Sequence, residues 1–212
     1  MQLIGMLDSP YVRRVAVSLQ LLEVPFKHRA ISVFSTYEQF RQINPVVKAP
    51  SLICDDGSVL MDSTLILDYA QSLAGPGKSL MPVALDERRR ALRLIGLALA
   101  ACEKSVQIVY ERDLRPAEKQ YQPWLSRVTE QLLQAYAALE TELTRQPLAL
   151  ERGRIDQAGI SIAVAWYFTQ AMLPEIVRAS AFPALQQFSS VAETLPAFAA
   201  APHGLGTYPV AG

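Results

Sequence analysis

Residues 1–74 read as short strands and helices in alternation, and everything beyond residue 84 reads as helix. That change of pattern limits the chain to an α/β unit followed by an all-helical one. "QLIGM" (2–6) has the composition of a short buried strand. Val12, Val15, Ala16, Leu19 and Leu22 then recur at helical spacing, and Pro25 follows as a stop signal. "KHRAI" (27–31) reads as a second strand and "TYEQFRQI" (36–43) as a short helix. "PSLIC" and "SVLM" flank Asp55-Asp56-Gly57, a hairpin turn signal. "STLILDYAQSLA" (63–74) completes the order β-α-β-α-β-β-α. Parallel strands joined by a helix, with a hairpin on the edge, make a small α/β layer.

"GPGKSLMPVA", which starts at Gly75, supplies the glycine and proline punctuation of a linker. Beyond it Leu92, Ile95, Leu99, Cys102, Val106 and Val109 step by three and four, as do Leu125, Val128, Leu132, Ala135 and Leu139. Each set predicts a helix with one buried stripe. "GISIAVAWYF" (159–168) is apolar all round and predicts a central, buried helix. Pro183, Leu185, Phe188 and Val191 suggest another, and "AAAPHGLGTYPVAG" at the end has loop composition.

With 212 residues, half of them hydrophobic, the chain has material for one large domain or two small ones. Its formal net charge is zero, which removes any broad pull on nucleic acid or an anionic membrane and favours a small-molecule or protein partner. Cys54 and Cys102 are the two cysteines and form no CxxC pair, so neither a disulfide framework nor a metal site is expected. No run approaches the roughly 20 apolar residues of a membrane span. The opening "MQLIGMLDSP" lacks a basic n-region and a long apolar h-region, and a cytoplasmic location is expected.

Three places carry chemistry. Ser9-Pro10 is an N-cap followed by a first-turn proline. By itself this is only a cap. It follows the first strand of an α/β layer, however, where ligands gather and where a helix N-terminus favours an anion. Pro50 opens a strand although it lacks the N–H a sheet ladder needs. It reads as an ordinary trans proline, or as a cis one that turns the backbone of Ala49 toward a peptide-like ligand. Asp62-Ser63 stands before the third helix, and either residue can cap it. The same geometry lets Ser63 hold a carboxylate and Asp62 an ammonium group.

With "SPYVRR" at 9–14, "NPVVKAPSL" at 44–52, "DSTLILDY" at 62–69 and "SLMP" at 79–82, the whole chain resembles the glutathione S-transferases of the bacterial, serine-type kind. The resemblance implies a thioredoxin-like, glutathione-binding domain over 1–75, a linker over 76–84, and an all-helical domain over 85–212 that contributes the acceptor pocket. It implies a homodimer, glutathione as co-substrate and a hydrophobic electrophile as its partner in the reaction. Ser9 matches the family's catalytic serine. Ala49 matches the residue whose backbone pairs with the glutathione cysteine, beside a cis Pro50. Asp62 and Ser63 match the holders of the γ-glutamyl end, and Lys48 stands where it meets the glycyl carboxylate.

Two departures from the family pattern stand out. Val47 occupies a place where other classes put a polar ligand contact. Gly159 occupies the place of the acid that completes a capping box, which leaves Asp156 as the cap of the buried helix. There is no cysteine at or beside Ser9, which argues against thiol exchange.

A serine suits conjugation for a physical reason. An unperturbed thiol titrates near 8.5, so only about 3% is thiolate at pH 7. A hydroxyl donating to the sulfur at a helix N-terminus favours the charged form. The serine is then neither base nor nucleophile. It stabilises a thiolate that attacks an electrophilic carbon. Isomerisation, peroxide reduction and disulfide reduction use the same thiolate and remain alternatives, as does a non-enzymatic regulator like the stringent starvation protein A group. A regulator predicts a degraded glutathione site.

His28 and His203 have no acidic motif beside them and are set aside as ligands. "ERRR" (87–90) reads as a solvated helix face or a dimer rim. Tyr110, Trp166 and Tyr167 are candidates to line the acceptor pocket, with core packing as the competing role. Glu103 is a candidate to reach a partner subunit's glutathione.

Overall fold

The computed structural model describes residues 1–148, 150 and 155–204. The chain divides into two units, Met1–Leu80 joined by the segment that begins at Thr194, and Met81–Glu193. The first contains β1 (Gln2–Ile4), α1 (Pro10–Leu21), β2 (Lys27–Arg29), α2 (Tyr37–Ile43), β3 (Ser51–Ile53), β4 (Val59–Met61) and α3 (Ser63–Leu73). The strands lie in the order β2-β1-β3-β4. β1 and β2 are parallel, with Leu3 opposite His28, and β1 and β3 are antiparallel, with Leu3 opposite Leu52. β3 and β4 form the edge hairpin.

The turn chemistry explains that hairpin. Gly57 takes φ +85°, which costs a glycine nothing, and the Asp56 carboxylate accepts from the Ser58 amide at 2.9 Å. Leu3, Ile4, Leu52, Val12, Val15, Ala16, Leu19, Ile66 and Ala70 are fully buried. β1 is central and buried on both faces, with Leu3 and Ile4 on opposite sides of the sheet, and the others are the inward faces of β3, α1 and α3. Phe40 of α2 packs with Ile4 and Ile31.

The sequence boundary at 85–212 needs one correction. α8 (Pro196–Ala199) is a four-residue helix that packs on α1 in the first unit. Arg13, almost fully buried, donates from Nε to the Ala201 carbonyl at 2.8 Å and lies 5.6 Å from the Phe198 ring. A segment this short has no periodicity to read, and the loop composition read from the sequence begins only at its last residue. Residues 205–212 lie outside the described residues.

The second unit contains α4 (Leu85–Asp113), α5 (Gln122–Arg145), α6 (Gln157–Met172) and α7 (Pro183–Ala192). The α5 stripe read from the sequence is the one buried. On α4 the buried face is rotated from the expected one. Ile95 and Cys102 are inside, but Leu92 is exposed, and Ala91, Ala98, Ala101 and Ser105 make up much of the interior face. Small side chains there let α5 and α6 approach closely, a choice that hydrophobic periodicity weighted to large residues misses. α6 is buried on nearly every side. Its Thr169 hydroxyl lies 2.7 Å from Ser105 Oγ and 2.6 Å from Tyr136 Oη, so α4, α5 and α6 share one satisfied polar network.

The missing acid at position 159 has a packing reason. Asp156 caps α6, its Oδ1 accepting from the Gly159 amide at 2.8 Å. Burial pushes the Asp156 carboxyl above its ordinary range, and the Gly159 and Ala158 amides pull it partly back. A methyl group at Gly159 would come within 2.7 Å of Ile155 Cγ1 and 3.1 Å of Phe188 Cζ. Gly159→Glu, which restores the capping-box acid, is therefore expected to destabilise the fold by roughly 2–3 kcal/mol through overpacking. Urea unfolding would show this as a lower midpoint, and an unchanged midpoint would contradict it.

Candidate functional site

β1 ends at Ile4 and the chain turns at Gly5, where φ is +138°. A methyl group at Gly5 would meet Val12 Cγ2 at 2.5 Å and Ala49 Cβ at 3.3 Å. The strand end, the first turn of α1 and the Ala49 loop therefore converge where only a hydrogen fits. His28 of β2 is buried, and its Nε2 donates to the Gly5 carbonyl at 2.6 Å. Burial lowers its pKa, with the Gly5 bond opposing. The ring is thus a structural tie behind the turn.

Ser9 is the N-cap of α1, with Pro10 in the first turn. Its Oγ accepts from the Val12 amide across a long 3.4 Å. Accepting that bond uses a lone pair and leaves the hydroxyl hydrogen able to donate elsewhere. A half-buried donor at the positive end of a 12-residue helix is what a thiolate needs.

The loop before β3 is held from within. Asn44, buried, donates from Nδ2 to Ser51 Oγ at 2.9 Å and accepts from the Val46 amide at 3.0 Å. Ser51 Oγ in turn donates to the Lys48 carbonyl at 2.8 Å. The Ala49–Pro50 peptide is cis. Val47 takes φ +51°, and its side chain packs on the Ile4–Ile31–Phe40 cluster, in keeping with an apolar residue there. Asn44 was not singled out in the sequence, although an asparagine before a proline is a turn signal.

Of the Asp62-Ser63 pair, Asp62 is the cap: its Oδ1 accepts from the Thr64 amide at 2.9 Å. Its φ of +76° is strained for an aspartate. Its Oδ2 lies 3.5 Å from Lys48 Nζ, and both side chains are about half exposed, so this pair adds little stability. Ser63 is buried and its Oγ accepts from Arg14 Nη1 at 3.0 Å. Arg14 also donates to Thr64 Oγ1 at 3.2 Å. Ser9, Ala49, Pro50, Lys48, Asp62 and Ser63 thus belong to one unit, tied together through Gly5, α1 and the Lys48–Asp62 pair.

Residues 3–78 match the family model for the glutathione S-transferase N-terminal domain. A glutathione transferase family member from Pseudomonas fluorescens Pf-5, solved with bound glutathione, is 31% identical over 94% of this chain and 97% of its own, with a TM-score of 0.79. The chain belongs to the glutathione S-transferase family. The Escherichia coli K12 uncharacterized GST-like protein YibF is 25% identical over 82% of this chain and 85% of its own. A glutathione S-transferase from Methylobacterium radiotolerans, complexed with glutathione sulfonate, shares the fold at a TM-score of 0.84 and 24% identity, covering 93% of this chain and 92% of its own. The first unit is the thioredoxin-like domain of this family and the second its helical domain.

Within the glutathione S-transferase frame, one expected pocket residue is corrected. Trp166 is 2% exposed, donates from Nε1 to Gln186 Oε1 at 3.1 Å, and packs edge-on against Tyr136. It is core, because its side of α6 is packed against α5 and α7 and leaves its indole no open face. Tyr110 and Tyr167 are partly exposed. Among the described residues, no group of three His, Cys, Asp or Glu side chains is placed to hold a metal, and no helix is long and apolar enough to cross a membrane.

Proposed function

We propose that this chain binds glutathione in its thioredoxin-like unit and conjugates the thiolate to electrophilic small molecules. The observation that supports this most is Ser9: a hydroxyl with its hydrogen uncommitted, at a helix N-terminus, in a chain whose Pseudomonas fluorescens relative was solved with glutathione bound. In this reading Ser9 donates to the sulfur, the Ala49 backbone pairs with the cysteinyl residue, and Ser63 with Asp62 receives the γ-glutamyl carboxylate and ammonium. Lys48, about half exposed beside Asp62, receives the glycyl carboxylate. Tyr110 and Tyr167 are the proposed acceptor-pocket aromatics that remain. The test is calorimetry with glutathione, followed by turnover with a nitro-activated aryl halide. Binding without turnover would favour isomerisation, peroxide reduction or disulfide reduction over conjugation, and no binding would favour the regulator and overturn the reading.

The protein is further proposed to be a homodimer. On α3, Leu65, Tyr69 and Leu73 are exposed at successive four-residue steps and make an apolar stripe. A second copy is the expected cover. Light scattering should give twice the mass of the chain at micromolar concentration, and Leu65→Glu should halve it. A monomeric wild type would remove the proposal.

A further inference from the structure

The mechanism above leaves a buried cation unused. Arg14 is 3% exposed, projects from α1, and directs Nη1 at both Ser63 Oγ and Thr64 Oγ1, at 3.0 and 3.2 Å. A guanidinium is charged at any working pH and can only donate. Each hydroxyl therefore gives a lone pair to Arg14, which leaves its own hydrogen pointing elsewhere. The hydroxyls are polarised as donors, and the acceptor they await is an anion.

The sign of the charge is informative. Ser63 and Thr64 open α3, whose N-terminus already carries partial positive charge. A carboxylate arriving there is favoured by that partial charge and by the guanidinium behind the two hydroxyls.

We propose that Arg14 is a positioning residue that orients Ser63 and Thr64 toward the α-carboxylate of the γ-glutamyl arm and so sets the affinity for that end of glutathione. This rests on the reading that Ser63 receives the arm.

The experiment compares glutathione with 4-aminobutyryl-cysteinyl-glycine, which lacks only that carboxylate, by calorimetry on wild type, Arg14→Gln, Arg14→Lys and Ser63→Ala. Arg14→Gln should weaken glutathione about tenfold or more and the analogue less than about twofold, since only the carboxylate meets the oriented hydroxyls. Arg14→Lys, which keeps the charge but not the fork, should fall between. Equal losses for both ligands would make Arg14 a structural bridge and overturn the inference, as would an unchanged glutathione affinity. If Arg14→Gln does not fold, Arg14→Lys decides by the same comparison. Ser63→Ala separates the two readings. If it binds glutathione like wild type, the site assignment fails and takes Arg14 with it. If it loses affinity while Arg14→Gln does not, only the Arg14 inference falls.

Discussion

Replacing Ser9 with alanine is expected to lower turnover roughly 10- to 100-fold at neutral pH, with little change in glutathione affinity. The hydroxyl's bond to sulfur is strongest once the sulfur is charged and reacting, so its loss falls on the chemical step. The helix N-terminus remains and still favours the thiolate, which is why some activity should survive. The sign of the pH dependence follows. Without the donor, the pKa of the bound thiol rises toward about 8.5, so the rate profile moves to higher pH. The gap between variant and wild type should close above about pH 9, where both thiols are ionised. Stability should fall by about 0.5–1 kcal/mol, the low end for a cap, because the Val12 bond is long. Ser9→Thr keeps a hydroxyl and should retain part of the activity. A variant with wild-type rates across this range would make Ser9 only a cap.

Ser63→Ala is expected to act on affinity instead. Hydrogen bonds to a charged carboxylate contribute roughly 1.5–3 kcal/mol, which corresponds to about a 10- to 150-fold rise in the glutathione Kd. The rate at saturation should be nearly unchanged, because the glutamyl end is remote from the sulfur. The helix cap is not at stake, since Asp62 supplies it. Folding stability should drop by about 1 kcal/mol from the lost Arg14 bond. Calorimetry on the folded variant checks this, and an unchanged Kd would contradict the assignment.

Much of this molecule was legible in its sequence because local chemistry and tertiary structure agree there. Asp55-Asp56-Gly57 dictates a hairpin, Ser9-Pro10 a helix start, and the α5 period a buried stripe. Asp62 and Ser63 were equal as caps in the sequence, because either oxygen reaches the first free amides. The contact with Arg14 decides between them by engaging Ser63. Arg14 itself was hidden, since nothing local distinguishes a buried arginine from a solvated one in "VRRV". Trp166 stayed between two roles for a related reason: an aromatic on an all-apolar helix reads the same whether it lines a cavity or fills a core. α8 escaped because four residues carry no period.

The role of Ser9 is tested most directly by the thiolate absorbance of glutathione bound to the wild-type protein, titrated with pH. The expected midpoint lies roughly two units below the free value of about 8.5, near 6.5, and returns toward 8.5 in Ser9→Ala. A bound thiol that titrates at the free value, or one whose depressed midpoint is the same in Ser9→Ala, would contradict it.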